Sequence, residues 1–145
     1  MRTAAKTRSD FCYFQSITTR WMDNDMYGHV NNVIYYSWFD TVVNQFLIIN
    51  KALDLQKSPI IGLVAETQCS YLRSVSFPDR ITVGLAVSYI GNSSVRYELG
   101  IFKNDDDQTA AHGHFVHVYV DGDTQRPTPL PESLRILLET VQLPG

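Results

Sequence analysis

The segment from Asn31 to Asn50, NNVIYYSWFDTVVNQFLIIN, constrains the rest of the chain more than any other. Its polar residues Ser37, Asp40, Thr41, Asn44 and Gln45 recur at i, i+3, i+4, i+7 and i+8, which is one stripe of an α-helix. Every other position between the asparagines is apolar or aromatic. A helix of that kind cannot stand alone in water, so the remaining chain must wrap most of its circumference. Asn31 or Asn32 is a natural N-cap, because a short amide side chain can accept from the free N–H groups of the first turn.

The flanking sequence supplies the wrapping. Phe11 to Arg20 is rich in aromatic and β-branched residues, as strands are. After a loop containing Pro59 and Gly62 the pattern changes to period two. Leu63, Ala65, Thr67, Cys69 and Tyr71 are expected on one face of a second strand. Ile81, Val83, Leu85, Val87 and Tyr89 alternate in a third, and Val95, Tyr97, Leu99 and Ile101 in a fourth. Ala111 to Val120 makes a fifth, with turn residues at Phe77-Pro78-Asp79, Gly91-Asn92 and Asn104 to Asp107. Pro131 suits the first turn of a short tail helix reaching about Val141. The expected fold is therefore α+β, an antiparallel five-stranded sheet around one long central helix. Residues 1–145 read as a single domain. Residues 1–10 read as a loose N-terminal segment, because Arg2, Lys6 and Arg8 come without the apolar run of a secretory signal.

Composition removes several classes of function. With 12 Lys and Arg against 15 Asp and Glu, the net charge is −3, and no basic stripe for nucleic acid is visible. No apolar stretch approaches the roughly 18 residues that a membrane-spanning helix needs. Cys12 and Cys69 stand far apart in strand-like segments, which predicts reduced core residues and a cytoplasmic setting. There is no G-x-S-x-G of a serine hydrolase. His112 and His114 share one face of their strand and His117 the other, so the three cannot converge on a metal.

Between the first strand and the long helix lies Asp23-x-Asp25-x-x-Gly28-His29-Val30-Asn31-Asn32. This run resembles the signature of hotdog-fold thioesterases of the 4-hydroxybenzoyl-CoA thioesterase-like family. The likeness extends through CSYLRSVSFPD and FVHVYVDGDTQRPTPLPESLR, and so over nearly the whole chain. It implies a hotdog fold and hydrolysis of an acyl-CoA thioester, with no cofactor beyond the coenzyme A of the substrate. It also implies a homodimer or homotetramer with active sites at the subunit boundary. The alternatives are a silent acyl-thioester-binding protein and a hydratase or dehydratase on the same fold.

In the resembled family the second aspartate is the catalytic carboxylate, which implies that role for Asp25. The chemistry agrees: Asp25 precedes a helix N-terminus, whose free N–H groups and dipole can hold a thioester oxyanion. Asp23, two residues away, reads as a loop-holding residue. His29 either orients the loop or polarises the reacting groups. Asn31 and Asn32 read as caps, and the family pattern implies an oxyanion donor in the backbone near Asn32. Gly28 suits a positive φ or a close approach to substrate, and Tyr27 and Arg73 are further substrate contacts. Arg73, Arg80 and Arg96 are candidates for the phosphates of coenzyme A. Glu66 and Asp40 are expected to be peripheral.

Overall fold

The structure, a computed structural model, describes residues 4–52 and 59–144. Its elements follow the expected order: β1 (Tyr13–Thr18), α1 (Asn32–Ile49), β2 (Ile60–Tyr71), β3 (Arg80–Ile90), β4 (Ser94–Lys103), β5 (Ala111–Asp121) and α2 (Glu132–Glu139). The strands form one antiparallel sheet in the order β1-β3-β4-β5-β2. α1 lies on one face of it. Tyr35, Trp38, Phe39, Val42, Val43, Phe46 and Leu47 of α1 are buried in a core with inner-face residues of β3, β4 and β5. This is the hotdog arrangement.

Five expectations need correction. α1 is wrapped on one side only: Val33 is 70% exposed, and Ile48 and Ile49 are exposed as well. A single five-stranded sheet does not have the span to enclose a helix. β2 begins at Ile60, so Gly62 lies in the strand and not in a loop. Its two faces also exchange partway. The pairing with β5 shifts between Val64 and Glu66, so that Val64 stands opposite His117 and Thr67 opposite Phe115. Leu63 therefore leaves the face shared by Thr67, Cys69 and Tyr71, and Val64 takes its place, because one extra residue inverts a period-two pattern. A second shift, between Val87 and Tyr89, turns Tyr89 outward opposite Arg96.

The fourth correction concerns residues 4–10, which are not loose. Lys6 and Thr109 exchange hydrogen bonds (N–H to Oγ1, 3.0 Å, and N–H to C=O, 2.9 Å), and Arg8 lies over the Phe102 ring. Last, Cys12 is exposed, although the thiol is free as expected. Phe11, its neighbour, enters a small second cluster with Ala86 and Phe102 on the outer face.

The middle and one margin of the sheet differ in finish. The interior strands β3 and β4 are mostly covered, whereas residues 63–68 of the long edge strand β2 are exposed on both faces.

Candidate active site

The loop between β1 and α1 is built around Asp23. Its side chain is 1% exposed and accepts from the Arg20 backbone N–H (2.8 Å) and from Nη2 and Nε of the Arg20 guanidinium (2.8 and 3.1 Å). The Asp23 carbonyl accepts from the Asn31 N–H at 3.0 Å. Asn24 and Val30 then pair across a small hairpin. Two bonds staple this hairpin to the β2–β3 connection: Val30 N–H to Val75 C=O (2.7 Å) and Phe77 N–H to Asn24 Oδ1 (3.0 Å).

Asp25 opens the turn of that hairpin. Its N–H donates to the His29 carbonyl (2.8 Å), and its carbonyl accepts from the Gly28 N–H (3.0 Å). Oδ1 accepts from the Tyr27 N–H at 2.9 Å, a local bond typical of aspartate in turns. Oδ2 accepts no hydrogen bond among the described residues. Gly28 has φ +78°, and a Cβ there would meet nothing within 4 Å. The positive φ by itself calls for glycine, since no protein group among the described residues approaches the position.

Asn31 caps α1, its Oδ1 accepting from the Val33 N–H at 3.0 Å, while its carbonyl accepts from the Ile34 N–H at 2.9 Å. Of the orphan donors in the first turn, these bonds leave the N–H of Asn32 without an acceptor among the described residues. That is the position implied for the oxyanion donor. The Asn32 side chain makes no hydrogen bond there either, and neither does the imidazole of His29.

Asp25, Tyr27, His29 and Asn32 meet in one cleft of about 480 Å³, with Val30, Tyr35, Tyr71, Leu72, Arg73 and Ser74 as its other walls. Asp25 is the only carboxylate among them. Tyr27 stands at the mouth, 78% exposed. Tyr35 and Tyr71 pack edge to face, with ring centroids 4.9 Å apart. Burial pushes the Tyr35 hydroxyl up to about 12, and burial followed by the neighbouring Cys69 raises that of Tyr71. Cys69 is itself pushed up to about 11, first of all by burial. This wall is therefore uncharged at neutral pH.

The three arginines part company. Arg73 lines the cleft, held by Asp106 (3.5 Å) and the Gln108 carbonyl (3.2 Å). Arg80 pairs with Asp105 in a separate depression beside β1, and Arg96 lies on the outer face with Glu98 and His114. Neither belongs to the cleft. Glu66 is on that outer face beside His114, and Asp40 accepts from Asn44 on the exposed side of α1. His117 points inward among Tyr97, Phe115 and Tyr119, and burial lowers its pKa to about 4. Among the described residues no group of three His, Cys, Asp or Glu converges.

Sequence reasoning passed over Tyr71, Leu72 and Ser74 as site residues. Tyr71 reads only as one more member of a strand face, and nothing local shows that β2 ends beside the first turn of α1. Tyr35 was visible among the helix aromatics, but not as a cleft wall.

A thioesterase-like superfamily model matches residues 19–138, which hold the whole loop, the helix and all but the first part of the sheet. The chain belongs to the thioesterase-like superfamily. The crystal structure of the PA5185 protein of Pseudomonas aeruginosa strain PAO1 superposes on the chain with a TM-score of 0.93. It is 47% identical over 96% of this chain and 97% of its own. The PA2801 protein of the same species is 30% identical, covering 87% of this chain and 97% of that one, with a TM-score of 0.80. The YsmA protein of Bacillus subtilis strain 168 is 29% identical over 89 residues. That match spans 61% of this superfamily member and 59% of YsmA.

Proposed function

We propose that this superfamily member hydrolyses acyl-CoA thioesters to the free acid and coenzyme A, with Asp25 as its catalytic carboxylate. One observation carries the reading. Asp25, whose Oδ2 accepts no hydrogen bond among the described residues, and Asn32, whose backbone N–H at the helix N-terminus has no acceptor among them, line the same cleft. The thioester carbonyl oxygen sits at the Asn32 N–H, which stabilises the negative charge that develops when the carbonyl is attacked. Asp25 either removes a proton from the attacking water or adds to the carbonyl to give an anhydride that water then opens. On either route water supplies OH to the acid, and the thiolate of coenzyme A departs and takes up a proton. His29, exposed and without a hydrogen bond among the described residues, is available to orient the water. Arg73 is the cation placed to meet a phosphate. The chemistry needs no cofactor, and the free thiols suit a cytoplasmic setting.

The test is thiol release from acetyl-, hexanoyl-, palmitoyl- and benzoyl-CoA and from the same acyl groups on acyl carrier protein. Release above the uncatalysed rate is expected with at least one acyl-CoA. Failure with every thioester sinks the proposal, and release from the carrier protein alone sinks the choice of coenzyme A.

The working unit is proposed to be a dimer, or a tetramer of two dimers. β2 is a 12-residue strand at the end of the sheet, and among the described residues no second strand pairs with it on the side away from β5; such edges invite pairing. A second copy paired there would cover residues 63–68 and give the exposed side of α1 a neighbour across a twofold axis. Light scattering at micromolar concentration should give at least twice the monomer mass of 16.5 kDa. A fully active monomer would overturn this.

A further inference from the structure

Tyr71 is the last residue of β2, and its ring is 40% exposed in the cleft wall. Its hydroxyl donates to the carbonyl of Asn32 at 3.4 Å. That bond is long, near the limit of useful geometry. The acceptor is also a poor one to hold, because a carbonyl in the first turn of a helix already serves the N–H four residues on. The hydroxyl is thus parked on the very residue whose N–H is free, at the one end of α1 that faces the cleft. The ring is held by its edge-to-face contact with Tyr35, so the oxygen stays in the wall while the hydroxyl hydrogen can turn about the Cζ–O bond to another acceptor.

We infer that the Tyr71 hydroxyl is a second donor to the thioester carbonyl, leaving the Asn32 carbonyl for the substrate oxygen as charge develops there. The inference rests on the thioesterase reading above and names one more catalytic residue within it. A neutral phenol is the right species, and burial, ahead of the neighbouring Cys69, keeps its proton in place. Two donors, one from the backbone and one from a side chain, make a complete site for an oxyanion.

The test compares wild type with Tyr71→Phe on the panel's best substrate, and then measures binding of two unreactive analogues of that substrate. In one a methylene replaces the sulfur, keeping the carbonyl as a ketone. In the other the carbonyl is absent, leaving a thioether. Tyr71→Phe should lower kcat about 10- to 100-fold with KM changed by less than about threefold, since a donor used mainly in the transition state acts on kcat. It should weaken the ketone severalfold and leave the thioether unchanged, with Tm kept. An unchanged kcat overturns the inference while the thioesterase reading stands. Equal weakening of both analogues, or a fallen Tm with a raised KM, also overturns it, because Tyr71 would then only hold up the helix end. If wild type hydrolyses nothing on the panel, both fall together.

Discussion

Asp23 and Asp25 stand two residues apart on one loop and meet opposite surroundings. The first is closed off from water, and both its oxygens are taken by Arg20. The second is half-buried, spends one oxygen on the turn that presents it, and leaves the other to the cleft. A carboxylate with both oxygens engaged holds structure. One with a spare oxygen beside a free N–H can do chemistry. Residues two apart in an extended segment would share a face, so what divides the two tasks is the bend between them: Asp23 closes the short 3-10 turn Trp21–Asp23, and Asp25 opens the next turn.

The comparison breaks most visibly if Asp25 can be spared. Asp25→Asn keeps an acceptor for the Tyr27 N–H and so preserves the turn. It should nevertheless lower kcat/KM by about a thousandfold, or roughly 4 kcal/mol, with Tm unchanged. A loss smaller than about tenfold would remove Asp25 from the mechanism.

Asp23→Ala should show the reverse profile. It leaves the Arg20 N–H and guanidinium without their acceptor and opens space at a buried position. The cost should be about 1–3 kcal/mol, seen as a drop of several degrees in Tm. Activity per folded molecule should fall far less than for Asp25→Asn. If Asp23→Ala melts like wild type, the Arg20–Asp23 ion pair does not hold the loop.

Asn31 supports the same site from the helix side. Asn31→Ala removes the cap and should destabilise the protein by about 1 kcal/mol. It also frees the Val33 N–H next to the Asn32 donor, so kcat/KM should change only a few-fold. A collapse of activity as deep as that of Asp25→Asn would move the chemistry from the carboxylate to the cap.

The smallest expected effect is none. Dialysis against a strong chelator should leave the rate of thiol release unchanged, because the proposed chemistry uses only the protein's own side chains and backbone donors. A loss restored by zinc would mean that the spare oxygen of Asp25 holds a metal.

Much of this was legible beforehand. The long helix, five strands, their order and the loop residues of the cleft follow from periodicity, turn chemistry and the resemblance carried by Asp25, Gly28 and His29. What escaped was set at a distance. The faces of β2 and β3 invert at bulges that period-two reading cannot anticipate, since a bulge records a mismatch with the neighbouring strand. Arg73, Arg80 and Arg96 look alike as strand-end cations, yet one of them reaches the cleft.

The sequence by itself determined what is local: α1 with its cap at Asn31, the left-handed Gly28, and the bonds that Asp23 and Asp25 accept from Arg20 and Tyr27. Each depends on groups within a few residues of one another, so propensity and hydrogen-bond reach suffice. Only the tertiary structure decided that Tyr71, 39 residues beyond Asn32, ends its strand beside the first turn of the helix. It also decided that Lys6 would pair with Thr109, and that β2 would stand at the end of the sheet. Those outcomes depend on which segments pair and in what register. Register is a balance of burial over the whole sheet, and no single stretch of sequence contains it.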